Sequence, residues 1–230
     1  MAALHTRFRF VFVDAPFKSP PGPGIRPAFT DFGPFWRWHC DPNIINEFDI
    51  TPEDVARERR HVRGLLRSYF ERERAVGGPG IVGVMAFSQG TRVATGLCLD
   101  RELRKGVQFA ILIASTFPSL DLTAPEEEAD EALEELGFPS RPSPAASSAD
   151  KTPPSSRWND HRVNIISIHI QGTADPWASE GARLREAYYN PELATTIKFH
   201  GGHQVPTGAT EARMIAEAFN GWREEISLQV

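Results

Sequence analysis

Apolar residues along this chain recur in two distinct periods. Strands are predicted over residues 163–170 (Val-Asn-Ile-Ile-Ser-Ile-His-Ile) and 195–199 (Thr-Thr-Ile-Lys-Phe), and continuous apolar runs occupy 81–87 (Ile-Val-Gly-Val-Met-Ala-Phe) and 109–114 (Phe-Ala-Ile-Leu-Ile-Ala). Runs of this length that do not alternate with polar residues describe strands covered on both faces. The aromatic and β-branched stretch 8–14 (Phe-Arg-Phe-Val-Phe-Val-Asp) predicts a further strand, ended by Ala15-Pro16. Helical periodicity fills the intervals. Thr51-Pro52-Glu53-Asp54 opens a helix, with a hydroxyl N-cap, Pro at the first helical position and acids facing the dipole. Val55, Val62, Leu65, Leu66 and Tyr69 then share one face as far as Arg74. Helices are also predicted over 89–104, 179–189 and 210–225, the last burying Ile215, Phe219 and Trp222. Strands alternating with helices predict an α/β fold: a mostly parallel sheet of about five strands with helices on both faces.

The pattern lapses twice. After the first strand a long loop carries Pro20-Pro21-Gly22-Pro23-Gly24, which cannot be helix or central strand, and then Phe32, Phe35, Trp36 and Trp38. Aromatics gathered there would either line a pocket at the sheet's carboxyl edge or anchor the loop to the core. The second lapse is an insertion at about 118–160. It opens with the capping box Thr123-Ala124-Pro125-Glu126 and a short acidic helix carrying Ala129, Leu133 and Leu136, then becomes rich in Pro, Ser and Ala. A stretch with so little to bury predicts a lid-like or disordered excursion within one domain spanning 1–230.

Composition narrows the function classes. At 230 residues and 40% hydrophobic content, the chain has material for one full core. A net charge of -5 opposes nucleic-acid binding. Cys40 and Cys98 fit no metal or redox spacing and suggest a reducing compartment. Residues 1–13 are neither a signal peptide nor a membrane span, so a cytoplasmic location is expected. Arg57, Arg59, Arg60, Arg63 and Arg67 line the polar face of the first helix. They offer a surface for an acidic partner, but Glu53, Glu58, Glu71 and Glu73 lie at pairing distances, which favours a solvated face.

The chemistry gathers at strand ends. Ser88 follows the 81–87 strand and precedes a helix, the setting of a nucleophile elbow; Ala86 stands where the pattern prefers Gly, and Gly90 gives the turn room. A serine hydroxyl needs an imidazole to take its proton, and the imidazole needs an acceptor that fixes its tautomer. Asp175 sits in Gln171-Gly172-Thr173-Ala174-Asp175-Pro176-Trp177, just beyond the 163–170 strand, with Trp177 a further candidate pocket residue. His203 sits in Gly201-Gly202-His203, beyond the last strand, where the glycines free the backbone to turn the ring inward. The order Ser, Asp, His is that of α/β-hydrolases. His200 is the second choice of base; Glu180 is explained by a helix dipole, Asp14 by its turn and His169 by the core. The backbone N–H of Gln89 is the oxyanion donor that such an elbow provides.

Together, Phe-Val-Asp-Ala-Pro (12–16), Ala-Phe-Ser-Gln-Gly (86–90), Gly-x-x-Asp (172–175) and Gly-Gly-His-x-Val-Pro (201–206) resemble the fungal serine hydrolase family of α/β-hydrolases. Ala-Pro-Phe-x-Ser-x-Pro-Gly-Pro-Gly-Ile (15–25), followed by Phe35 and Trp36, is similar to its stand-alone polyketide-releasing thioesterases, such as that of the lovastatin pathway. The resemblance implies Ser88 as nucleophile, Asp175 as orienting acid and His203 as base. It implies an acyl thioester presented by an acyl carrier protein or polyketide synthase, and neither cofactor nor metal. Family members also carry a strand and a His-Gly loop before Phe-Val-Asp-Ala-Pro, and residues 1–7 offer no equivalent. The expectation is therefore a sheet lacking the usual first strand and its oxyanion donor, with the Phe8 strand shifting to pair with the Ile81 strand, or an incomplete product. The alternatives are a carboxylesterase or lactone-forming acyltransferase on the same triad, and a catalytically silent acyl-binding or partner-binding protein.

Overall fold

The computed structural model describes residues 8–22, 30–40, 50–122 and 162–227, with the side chains of 30 and 219–227 excepted. The elements are β1 (Phe17–Ser19), β2 (Phe35–Arg37), α1 (Pro52–Ala75), β3 (Gly83–Phe87), α2 (Gln89–Leu99), β4 (Phe109–Ile113), β5 (Ile166–Gly172), α3 (Ala178–Tyr188), β6 (Ala194–Phe199) and α4 (Ala209–Ser227). The four long strands form one parallel sheet in the order β3-β4-β5-β6. Every long strand predicted from a continuous apolar run is present, and the reason is visible in β4. Ala110 and Leu112 point into one core, with Val62 and Leu66 of α1, Leu97 of α2 and Leu184 of α3. Ile111 and Ile113 point into the other, with Ile168, Ile170, Ile197 and Ile215 of α4. Ile113, Ile170 and Ile197 are register partners across three strands, so they form one apolar row. Each such side chain contributes roughly 1.5–3 kcal/mol by leaving water.

The 8–14 stretch departs from expectation. It forms no strand, so the main sheet has four strands rather than about five, and among the described residues β3 pairs only with β4. The shift of the Phe8 segment into a ladder with the Ile81 strand does not occur. Phe8 and Phe10 instead pack against the α4-side core, Phe8 with its ring centroid 5.5 Å from that of Phe109. Phe12 is exposed. The aromatic content that resembles a strand acts here as a set of side-chain anchors on an extended chain. The loop beyond it contains a small antiparallel pair that the sequence analysis does not predict, Phe17↔Arg37 to Ser19↔Phe35.

The first helix begins as predicted, with Thr51 and Asp54 forming a reciprocal capping box. Its charges pair differently from the expected pattern along the helix. Arg63 reaches Asp100 at 2.8 Å, Arg59 reaches Asp121, and Arg57 pairs with Asp54. Glu58 and Glu73 lie on the buried side and take Arg37 and Arg9 from other parts of the chain. Of the predicted insertion, Leu120 and Leu122 are buried in the helix-side core, and residues 123–161, including the acidic helix, lie outside the described residues, as do the side chains of Phe219 and Trp222. No helix among the described residues is long and apolar enough to cross a membrane.

Candidate active site

Parallel strands deliver their carboxyl ends to one edge, so the loops that follow β3, β5 and β6 converge. At the first of these, Ser88 takes φ 51° and ψ -125°, a region that costs about 1–3 kcal/mol for a residue with a side chain. The turn is held by its backbone: Ser88 N donates to Ile113 O at 3.0 Å and Thr91 N donates to Ser88 O at 2.9 Å. The hydroxyl is thereby lifted above the sheet at the start of α2, whose N-terminus favours negative charge. Gly90 is not required by a clash or by a positive φ, since a Cβ added there would lie 3.5 Å from the Trp38 indole nitrogen and 3.7 Å from the Ala86 Cβ. Ala86 fits beneath the elbow for the same reason.

Close approach of two backbones sets the other two loops. Ala174 N donates to Gly201 O at 2.9 Å, and Thr173 N donates to Phe199 O at 2.9 Å. A Cβ on Gly172 would meet Gly202 O at 2.3 Å and Gly201 O at 2.4 Å, so only glycine allows these strands' ends to touch. Gly201 and Gly202 have no positive φ. The positive-φ freedom anticipated from the sequence is not used here; a Cβ on Gly201 would meet the Phe199 ring at 2.5 Å, whereas one on Gly202 would meet nothing nearer than Ala174 O at 3.9 Å.

The result is a continuous line of hydrogen bonds. His203 Nε2 lies 2.8 Å from Ser88 Oγ, and its Nδ1 lies 3.0 Å and 3.2 Å from the two oxygens of Asp175. The Asp175 side chain is fully buried while the His203 ring is one-fifth exposed. Asp175 accepts two further bonds, from the Gln171 amide at 2.7 Å and from Trp177 N at 2.9 Å. With three sets of donors on it, the carboxylate fixes the tautomer that carries the proton on Nδ1 and leaves Nε2 to accept from the serine. The imidazole is also flanked by two rings: those of Trp177 and Phe87 have centroids 4.6 Å and 5.2 Å from it, the first edge-on and the second tilted.

The competing residues are placed elsewhere. His200 is exposed at the end of β6. Glu180 accepts from Phe117 N at 3.1 Å. His169 lies in the sheet, edge-on to Tyr189, and burial pushes its pKa down to about 3, so it stays neutral. Burial likewise pushes the Cys40 and Cys98 thiols up, to about 11 and about 12, which removes them as nucleophiles. Among the described residues no cluster of three or more His, Cys, Asp or Glu side chains is arranged to hold a metal. Of the four aromatic candidates for a pocket, Trp177 touches His203 and Trp38 lies over Gly90. Phe35 is half-buried, while Trp36, at 50% exposure, turns outward on β2. Two further residues of the site, Gln171 and Phe87, are not predicted from the sequence. The position of Phe87 beside Ser88 was a signal for the latter; that of Gln171, four residues before Asp175 at a strand end, carries meaning only once the loop is folded.

The serine hydrolase (FSH1) family model matches residues 2–215. The chain belongs to this family. It is therefore an enzyme, a serine hydrolase acting on acyl groups, with an α/β-hydrolase-like fold. Among curated proteins it is 47% identical over 216 residues to a protein named thioesterase FSL2 from Gibberella zeae, covering 94% of this chain and 80% of that one. It is 25% identical over 222 residues to esterase FUS5 from Gibberella moniliformis, covering 95% and 76%. It is 30% identical over 226 residues to the probable esterase azaC from Aspergillus niger, covering 93% and 73%. Among solved structures it is similar to TT1662 from Thermus thermophilus, with a TM-score of 0.42 at 17% identity, covering 74% of this chain and 66% of that one.

Proposed function

We propose that this serine hydrolase is a thioesterase that takes a polyketide acyl chain from the pantetheine arm of an acyl carrier protein onto Ser88 and passes it to water. The observation that carries the reading is the unbroken line from Ser88 Oγ through the His203 ring to a buried Asp175. In the first half-reaction His203 Nε2 takes the serine proton as Oγ attacks the thioester carbonyl. The oxyanion forms beside the Gln89 N–H at the start of α2, and collapse expels the pantetheine thiolate, which leaves with the proton held on Nε2. In the second half-reaction water gives its proton to Nε2 and attacks the acyl-serine, releasing the carboxylic acid and restoring the hydroxyl. Asp175 stabilises the imidazolium in both halves without itself taking the proton. The thioester preference rests on the name and 47% identity of thioesterase FSL2. The test is hydrolysis of acyl carrier protein thioesters by the full chain against its Ser88→Ala variant, with a loss of about 10⁶ in kcat expected; equal rates would end the assignment.

A second reading is carboxylesterase activity on the same residues. It is favoured by relatives named as esterases at 25% and 30% identity. Free oxygen esters compared with carrier-bound thioesters of the same acid distinguish the two. The assembled hydrogen-bond line argues against a silent acyl-binding protein, and labelling of Ser88 by a fluorophosphonate checks that point.

A further inference from the structure

The side chain of Gln89 is engaged in a task separate from that of its backbone. Trp38 N donates to Gln89 Oε1 at 2.8 Å, and Gln89 Nε2 donates to His39 O at 3.1 Å. The amide thus pairs with two backbone groups as a peptide in a ladder would, one bond in each direction. On its other side the same stretch is held by Glu58 of α1. The Arg37 guanidinium donates to both Glu58 oxygens, at 2.6 Å and 2.7 Å, and Cys40 N donates to Oε2 at 2.6 Å. Burial alone would raise the Glu58 pKa, yet these bonds hold it below the ordinary value, so the clamp is charged at neutral pH.

Residues 37–40 are therefore gripped from two helices, and the residue between the grips is Trp38. Its indole lies against Gly90, two residues from the nucleophile, and packs on the helix-side core beside Ala86. Phe87 and Trp177 occupy the His203 side of Ser88. Those two belong to the main sheet and the loop that follows it. Trp38 belongs to a segment outside the sheet, so its placement depends on the two clamps.

We infer that Glu58 and Gln89 are positioning residues that seat Trp38 as a wall of the acyl site, and that this wall sets which acyl chain length the enzyme prefers. The inference rests on the hydrolase reading of Ser88 above. A large aromatic surface along an acyl chain rewards length, because each buried methylene adds to binding, whereas an acetyl group is too short to use it.

The experiment measures kcat and KM of the full chain on p-nitrophenyl acetate, hexanoate and decanoate. For Glu58→Gln, the decanoate-to-acetate ratio of kcat/KM should fall about tenfold, mainly through a higher KM for decanoate. Gln89→Met should shift the ratio in the same direction, and the double variant should fall little beyond the larger single effect, because both changes release one segment. Trp38→Ala should reproduce the lower ratio without either clamp being touched. Should Glu58→Gln fail to fold, as read from its thermal unfolding, Arg37→Lys removes the bidentate pairing and serves in its place. A ratio that stays constant while all three esters slow together overturns the inference, as does a ratio altered by Trp38→Ala alone. Absence of both ester turnover and fluorophosphonate labelling in the unaltered chain would instead sink the underlying hydrolase reading.

Discussion

The carboxyl edge of the main sheet and the segment 8–40 are held together by different means. The first is a parallel ladder whose strands are covered by helix-side and α4-side cores, with the proposed triad on the loops leaving it. Among its described residues the second has two strands of three residues each. Side chains do the rest: Arg37 lies 5.3 Å from the Phe17 ring centroid, Glu58 and Gln89 bond the backbone of 38–40, and Phe8 sits on Phe109. A ladder fixes atoms to a fraction of an ångström because every residue is bonded to its neighbour, which the transfer of a proton requires. A segment tied at a few points can vary without disturbing that geometry, which suits a surface facing a variable acyl chain.

The largest test of this division is at the triad. Asp175→Asn leaves the volume unchanged but reverses which tautomer of His203 is favoured, and should lower kcat by about 10⁴ with little change in KM. Measured against it, Trp36→Ala on β2 should alter kcat by less than about twofold, since that ring faces outward. A large effect of Trp36 on kcat would mean that the two regions are not separable.

A smaller effect is expected where the ladder meets the loops. Gly172→Ala places a methyl within 2.3 Å of Gly202 O, and backbone must move to admit it. The displacement pushes the His203 loop from the Asp175 loop, and a misplacement of about 1 Å can cost about 10² in rate. We expect that loss in kcat together with a lower midpoint of thermal unfolding. An unchanged kcat would show that the triad does not depend on this contact. Gln171→Met, which removes one of the donors to Asp175 while keeping the chain's bulk, should lower kcat by about tenfold.

The same contrast explains what could be read from the sequence. Strands β3 and β4 were legible because a strand covered on both faces is apolar throughout, and that demand is local; β5 and β6 were legible through their β-branched residues, despite Ser167, His169, Thr196 and Lys198. The proposed triad was legible because each member stands just after such a strand, in the order Ser88, Asp175, His203. The 8–14 stretch has equally strong β composition, but a strand exists only where a neighbour supplies a ladder, and composition carries no information about neighbours. Three-residue strands separated by 15 residues, as in β1 and β2, leave no periodic signal at all. The roles of Gln171 and of the Gln89 amide were hidden for a related reason: each bonds a group whose proximity is created by the fold. Neither Gly201 nor Gly202 uses a positive φ, and small size matters at Gly201, against the Phe199 ring, and not at Gly202.

The smallest effect on turnover should come from His169, inside the ladder and remote from the edge chemistry. Its Nε2 has Ser167 Oγ at 3.2 Å, its Nδ1 has no hydrogen-bond partner among the described residues, and its pKa is pushed down to about 3 by burial, with the charge on Arg185 adding to the effect. The unfolded chain takes up this proton below its ordinary value of about 6.5, whereas the folded chain refuses it until about pH 3. Stability from the neutral ring is thus fully present above about pH 6.5 and is lost progressively as the pH falls toward 3, at up to about 1.4 kcal/mol per pH unit. His169→Phe removes the titration while keeping a ring against Tyr189. Its kcat at pH 7 should stay within about twofold of the unaltered chain, and urea unfolding should show its relative stability rising by roughly 2 kcal/mol between pH 6.5 and pH 5. Parallel stability curves for the two chains over that interval would mean that the folded ladder admits the proton, and that the sheet interior is wetter than its burial implies.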